Sequence, residues 1–196
     1  MISFLGLFSF IVAAILLSTG ILYFNPILAL LAPFMIFLGG LLDVLDGEVA
    51  RRTNNASPKG AFLDSNLDRV SDCVMVLGLI LGGLVTYLVG YILLFMILMI
   101  SYTRSRAENE GVEMMGIGFM ERGERVILLF IALIAEAWMY AVVWNVTHEE
   151  WVVHLEFLTA IPVTPIFIGF IFLYAALLFI TIIQRLAHTF KSLNDV

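Results

Sequence analysis

Asp43-Val44-Leu45-Asp46-Gly47-Glu48-Val49-Ala50-Arg51, then eight residues, then Gly60, Asp64 and Asp68: residues 43–68 decide how the rest of this chain is read. Aspartates at i and i+3 (Asp43, Asp46) share one helix face, and so do aspartates at i and i+4 (Asp64, Asp68). Four carboxylates on two facing helix ends repel one another unless positive charge sits among them. Hard divalent cations accept carboxylate oxygens, and Mg²⁺ is commonly held by a few carboxylates together with substrate phosphates. Gly47 and Gly60 lack a Cβ, so a bulky ligand can come close to the backbone there. Arg51, one turn beyond Gly47, can pair with a phosphate oxygen. A merely solvated helix end does not suit the context, because Asp43 and Asp46 directly follow a long apolar run. Ionisable residues in or at a membrane span are costly and usually functional.

Composition narrows the class. The chain has 196 residues, of which 62% are hydrophobic and 13% charged, and its mean hydropathy is +1.05. These values exclude an ordinary soluble domain. Apolar stretches near the roughly 20 residues needed to span a bilayer fall at about 2–24, 27–46, 64–86, 88–103, 124–144 and 163–184. The expectation is an all-α integral membrane protein: six transmembrane helices in one bundle, as one domain over 1–196. Asn25-Pro26 marks a turn after the first stretch, and Arg52 to Lys59 reads as a polar loop between the second and third. The first stretch lacks a basic leader and is too long for a signal peptide, so it reads as a retained helix.

Threading six spans puts all ten Lys and Arg residues on one side: Arg51, Arg52, Lys59 and Arg69, then Arg104, Arg106, Arg122 and Arg125, then Arg185 and Lys191. The positive-inside rule makes that side cytoplasmic. Both termini, the aspartates and the cavity they would line are then cytoplasmic, in a multi-pass protein of the cell membrane. The net charge is −6, and no nucleic-acid partner is expected.

A second charged cluster shares the aspartates' side. It reads Ser101-Tyr102-Thr103-Arg104-Ser105-Arg106-Ala107-Glu108, and later Glu121-Arg122-Gly123-Glu124-Arg125. Arg104 with Glu108 and Glu121 with Arg125 are i, i+4 pairs, which would fix these arginines beside the metals as a pocket for a second anion. Asp72 continues the row from Asp64 and Asp68, and is expected to bond a neighbouring span or steady Arg69. Glu136, in the middle of the fifth stretch, is expected to face the bundle interior. The lone Cys73 reads as a small apolar residue, and His148 and His154 read as surface groups. Asn145-Val146-Thr147 fits a glycosylation sequon that carries no expectation, since such triplets are common by chance.

The pattern D-x-x-D-G-x-x-A-R-x8-G-x3-D-x3-D, matched from Asp43 to Asp68, resembles the signature of the CDP-alcohol phosphotransferases, membrane enzymes of phospholipid synthesis. The resemblance implies transfer of a phosphatidyl-type group from a CDP-linked lipid to an alcohol, with release of CMP. Two divalent cations, Mg²⁺ or Mn²⁺, would be held by Asp43, Asp46, Asp64 and Asp68, with Asp68 also the base for the acceptor hydroxyl. Gly47, Ala50, Arg51, Ser57 and Gly60 would hold the CDP-lipid. The second cluster resembles enzymes whose acceptor is inositol phosphate, the bacterial phosphatidylinositol-phosphate and archaeal archaetidylinositol-phosphate synthases. By position, Ser101, Arg104, Arg122 and Arg185 would bind the acceptor phosphate, with Arg106 and Arg125 behind them. The archaeal-like motif leans toward an ether-lipid donor, and the resemblance also implies a homodimer among membrane lipids.

One departure concerns the start. Family members usually carry a polar Pro-Asn-containing stretch before the first span, whereas this chain begins Met1-Ile2-Ser3 and runs straight into apolar sequence. Either the start is truncated or the cytidine is held with fewer contacts, with Ser3 as the remnant. Glycerol 3-phosphate is the alternative acceptor, and serine a lesser one because a zwitterion needs fewer cations. A cation transporter is the alternative class. It calls for acids distributed through the membrane depth, whereas here they share one level with two glycines and an arginine, which suits a phosphate.

Overall fold

The computed structural model describes residues 2–23, 26–52, 57–147 and 151–194, without the side chains of Pro26, Ile27, Ala50, Arg51 and Thr147. Helix α1 (Ile2–Ser18) is followed by a 3₁₀ turn at Ile21–Tyr23 and the short α2 (Pro26–Ala29). Five long helices follow: α3 (Leu31–Arg52), α4 (Pro58–Leu81), α5 (Tyr87–Asn109), α6 (Arg122–Thr147) and α7 (Pro165–Asn194). Among the described residues the one β-type pairing is an isolated bridge, in which Val153 and Val163 exchange backbone bonds of 2.8 and 3.1 Å.

Local chemistry sets the helix starts. Ser57 is extended and caps α4 by accepting the Gly60 amide at 3.1 Å, with Pro58 in the first helical turn, where its missing N–H costs nothing. Thr86 caps α5 through the Val89 amide at 3.4 Å. At α7, Thr164 accepts from the Phe167 amide at 3.3 Å ahead of Pro165. Each cap satisfies an amide that the helix itself leaves without a partner.

Helix α1 packs against α3 and α4, α3 against α6, α4 against α5, and α7 against both α5 and α6. The α1–α4 contact depends on Gly78, where an added Cβ would lie 2.7 Å from the Ala14 Cα. Phe10, Leu17, Ile36, Ile100, Leu133, Phe167 and Leu178 form the centre of the core, each no more than 1% exposed. Large apolar side chains also face outward, with Phe8 at 62%, Phe95 at 63% and Phe179 at 58% exposure, while Asp72, Arg125, Glu136 and Arg185 are buried. That inside-out distribution suits lipid as the surrounding solvent.

Each expected apolar stretch falls on one of six long helices, but their bounds and lengths differ from the expectation. By length and composition, α5, α6 and α7 are long and apolar enough to cross a membrane. Helix α1, with 17 residues, is about 25 Å long, short of the roughly 30 Å hydrocarbon core. Part of α3 and of α4 is given to acids and arginines. The second expected stretch breaks into α2 and α3 at Leu30, and α3 then runs on to Arg52, whose guanidinium pairs with Glu48 at 2.7 Å. Helix α4 begins at Pro58 rather than at 64, so Asp43, Asp46, Asp64 and Asp68 all lie within helices. Of the expected 52–59 loop, residues 53–56 lie outside the described part.

Between α5 and α6 the chain turns at Gly111, Gly116 and Gly118, all with positive φ. Gly118, at φ +108°, lies so close to α7 that a Cβ would approach Thr181 Cγ2 to 2.7 Å. The Phe119 amide donates to Gln184 Oε1 at 3.2 Å and the Met120 amide to Thr181 Oγ1 at 3.0 Å. These bonds fasten the start of α6 to α7.

Candidate active site

Helices α3 and α4 bring three acids together. One carboxylate oxygen from each of Asp43, Asp64 and Asp68 lies within 4.8 Å of the other two. Asp68 Oδ1 is buried and carries no hydrogen bond, although Arg122 Nη1 lies 2.8 Å away, outside hydrogen-bond alignment. Convergent carboxylates, one with a buried oxygen that takes no hydrogen bond, form a donor set that a hard divalent cation fits. Asp46, the fourth acid of the expected set, stands outside this group and accepts a hydrogen bond from Ser3 Oγ of α1.

Beside the acids lies a cavity of about 560 Å³, whose walls include Asp64, Asp68, Ser101, Arg104, Arg122 and Arg185. Arg185 is 2% exposed, and its Nε and Nη1 donate to the carbonyls of Ile117 and Ile100 at 2.9 and 2.6 Å. Arg104 Nε pairs with Glu108 at 2.9 Å, the expected i, i+4 partner. Arg122 Nη1 pairs with Asp43 as well as contacting Asp68. The four residues expected to bind the acceptor phosphate thus share one cavity.

Two expectations about neighbouring arginines are corrected. The Arg125 guanidinium does not take Glu121 as its ion-pair partner; its Nη2 donates to Asp72 on α4 at 2.9 Å. Glu121 stands at the start of α6, where its carbonyl accepts the Arg125 amide at 3.2 Å, while the Arg125 side chain turns across to Asp72. Arg106 does not back the cavity but pairs with Glu110 at 2.5 Å, with 61% of its side chain exposed. Asp72 bonds a neighbouring helix, the first of its two alternatives, while Arg69 binds the Ser65 carbonyl at 2.7 Å and contacts Asp68 at 3.4 Å.

On the side expected to take the CDP-lipid, a Cβ on Gly60 would meet, among the described residues, only Ser57 Oγ within 4 Å. Ser57 itself is engaged in capping α4. Gly47 follows Asp46 on α3, and the side chains of Ala50 and Arg51 lie outside the described part. An apolar groove of about 240 Å³ runs between α3 and α6 past Phe37, Gly40 and Ile127, ending on Asp43 and Arg122.

Two polar clusters have only partial signals in the sequence. The Asp72–Arg125 pair is buried one turn below Asp68, and only the i+4 row pointed to Asp72. Glu136 faces the interior as expected, at 0% exposure, but its partners could not be read from spacing. Tyr23 Oη donates to Glu136 Oε1 at 2.7 Å, and the Thr164 amide donates to the same oxygen at 3.0 Å. Thr164 Oγ1 donates to Glu136 Oε2. One carboxylate thereby ties the 3₁₀ turn after α1 to the start of α7.

Comparison with known proteins agrees with this architecture. Archaetidylinositol phosphate synthase of Pyrococcus horikoshii is 45% identical over 108 residues, which cover 55% of this chain and 57% of that one. The enzyme of the same name from Methanothermobacter thermautotrophicus is 36% identical over 155 residues, covering 79% of this chain and 67% of that one. The chain thus matches little more than half the length of the first of these relatives. The crystal structure of Mycobacterium tuberculosis phosphatidylinositol phosphate synthase with CDP-DAG bound superposes with a TM-score of 0.69 at 26% identity, covering 96% of this chain and 84% of that one. The structure of that enzyme with manganese and citrate gives a TM-score of 0.70 at 25% identity, covering 96% and 80%. A multi-pass membrane protein follows from the apolar helices and this likeness. Residues 1–192 match the CDP-alcohol phosphatidyltransferase model, and the chain belongs to that family.

Proposed function

We propose that this protein transfers an archaetidyl- or phosphatidyl-type group from a CDP-linked lipid to inositol phosphate and releases CMP. The observation that carries this reading is the pairing of a carboxylate cluster with an arginine-walled cavity, with Asp64, Asp68 and Arg122 common to both. An acceptor that carries its own phosphate matches the charge of the cavity that Arg104, Arg122 and Arg185 wall, whereas an uncharged alcohol would not. The relatives' names as inositol phosphate-type synthases support the same acceptor. The mycobacterial structures with CDP-DAG and with manganese support the donor and the metal.

Asp43, Asp64 and Asp68 would hold divalent cations, Mg²⁺ or Mn²⁺, with Asp46 as a fourth ligand once it leaves Ser3. Bound there, such cations supply charge neutralisation for a diphosphate and stabilise the departing phosphate oxygen. Gly47 and Gly60 let the diphosphate come against the backbone, and Ala50, Arg51 and Ser57 complete the nucleotide side. The apolar groove between α3 and α6 leads a lipid tail away from Asp43. Ser101, Arg104, Arg122 and Arg185 orient the acceptor phosphate so that a ring hydroxyl faces the lipid-linked phosphorus. Asp68 takes the hydroxyl proton as the new O–P bond forms and the bond to CMP breaks. Positioning and charge stabilisation account for most of the rate.

The site opens to the cytoplasm in this reading, the termini lie on the same side, and two copies pair in the membrane. The deciding experiment supplies the purified protein with a CDP-diether or CDP-diester lipid and Mg²⁺ or Mn²⁺, then measures CMP with inositol phosphate, glycerol 3-phosphate or serine as acceptor. Release that depends on inositol phosphate supports the reading. Equal or greater release with glycerol 3-phosphate reassigns the acceptor, and cation flux in liposomes without CMP release overturns the enzyme.

A further inference from the structure

Arg122 has two sets of partners within reach of one side chain. Its Nη1 is paired with Asp43 and lies 2.8 Å from Asp68 Oδ1, so a single nitrogen stands among the acids. The same side chain helps to wall the cavity shared with Ser101, Arg104 and Arg185. Among the described residues its Nε is buried without a hydrogen-bond partner, and Asp68 Oδ1 has the Arg122 ion pair but no hydrogen bond. A guanidinium that works through one nitrogen forgoes the fork geometry that makes arginine pairs strong. Arg185, by contrast, seats two nitrogens on carbonyls at 2.9 and 2.6 Å. Arg122, whose guanidinium also lies 5.7 Å from the centroid of the Phe10 ring, is held by single-nitrogen ionic contacts rather than by a two-pronged fork.

Its backbone, however, is fixed. Arg125 Nη2 bonds Asp72, Arg125 Nη1 bonds the Met120 carbonyl at 3.2 Å, and the Met120 amide bonds Thr181. A change of partner at Arg122 therefore calls for side-chain rotation alone.

We propose that Arg122 is a positioning residue that exchanges partners: it neutralises Asp43 and Asp68 until a divalent cation takes their oxygens, then turns into the cavity to complete the phosphate-binding arginines. This rests on the reading of the acids and cavity given above. A doubly charged cation among three carboxylates removes the partners of Arg122 and repels its charge. A phosphate in the cavity offers that guanidinium two oxygens in its preferred fork. Cation and phosphate then strengthen each other's binding reciprocally, because each favours the same position of Arg122. A cation among the acids thereby favours assembly of the acceptor pocket.

The test is Mn²⁺ binding to the detergent-purified full chain, followed by electron paramagnetic resonance of free Mn²⁺, with and without inorganic phosphate and corrected by protein-free controls. In the wild-type protein, saturating phosphate should tighten Mn²⁺ binding by about 5- to 20-fold, within the usual range of site coupling. Without phosphate, Arg122→Gln should bind Mn²⁺ about 5- to 20-fold more tightly than wild type, and phosphate should then have no further effect. Arg106→Gln, which alters an exposed residue paired with Glu110 outside the cavity wall, should leave both the phosphate-free Mn²⁺ affinity and its coupling to phosphate unchanged. Arg122→Lys, the variant read if Arg122→Gln does not fold, keeps the charge and should show a smaller shift of the same sign. Mn²⁺ affinity equal to or weaker than wild type in either Arg122 variant, phosphate coupling that survives in Arg122→Gln, or coupling undiminished in Arg122→Lys overturns the exchange. If wild-type protein releases CMP yet shows no coupling, only the exchange fails. If it neither binds Mn²⁺ nor releases CMP, the reading of the site fails.

Discussion

Replacing Arg125 by methionine tests whether the bundle under the acids depends on one buried ion pair. Arg125 Nη2 lies 2.9 Å from Asp72 Oδ2, and the two side chains are 5% and 9% exposed. Removing the guanidinium leaves a buried carboxylate without its cation, a loss of about 3–5 kcal/mol. The exposed Arg104–Glu108 pair, at 41% and 46%, provides the contrast, because pairs of that kind contribute roughly 0–1 kcal/mol. Against a typical total stability of about 5–15 kcal/mol, the single change is severe. A melting-temperature drop on the order of 6–20 °C follows for a chain of this size. Arg125→Met/Asp72→Leu removes both charges and fills the space with apolar groups, and should recover at least about 2 kcal/mol of the loss. Thermal unfolding of wild type, both single variants and the double variant in one detergent closes the cycle. If Arg125→Met costs less than about 1 kcal/mol, or the double variant melts no higher than Arg125→Met, the pair does not hold α4 to α6.

Three further outcomes are expected. Asp68→Asn should lower CMP release by about 100- to 10,000-fold while Mn²⁺ and CDP-lipid binding partly survive; full turnover in this variant removes Asp68 as the base. Tyr23→Phe deletes one donor to the buried Glu136 carboxylate and should destabilise the protein by about 1–3 kcal/mol, read as a lower melting temperature with Mn²⁺ affinity unchanged. Gly78→Val pushes a side chain into Ala14, and overpacking of about 1–3 kcal/mol should appear as reduced thermal stability; a variant that melts like wild type places slack between α1 and α4.

Much of the site was legible because its determinants are local. Asp43 with Asp46 and Asp64 with Asp68 share faces by helical spacing alone, and the apolar run ahead of them marks their setting as a membrane protein. Arg104 with Glu108 is also a one-turn relation, and it appears as expected. Where a side chain chooses between helices, spacing stops being informative. Arg125 had Glu121 four residues away, and its amide does bond the Glu121 carbonyl, yet its side chain reaches across to Asp72 on α4, 53 positions distant. Asp46 shares a helix face with Asp43 but bonds Ser3, since α1 lies against α3 at that level.

By itself the sequence determined the apolar character, the six helical stretches and the acid–glycine–arginine pattern, all of which follow from the period of one helix and the solvent it must face. Only the tertiary structure decided which three acids converge, that Arg122 reaches Asp43 across 79 positions, and that Glu136 anchors Tyr23 and Thr164. Those contacts depend on the rotation and approach of neighbouring helices, set by close contacts such as Gly78 on Ala14 that no spacing within a single helix encodes.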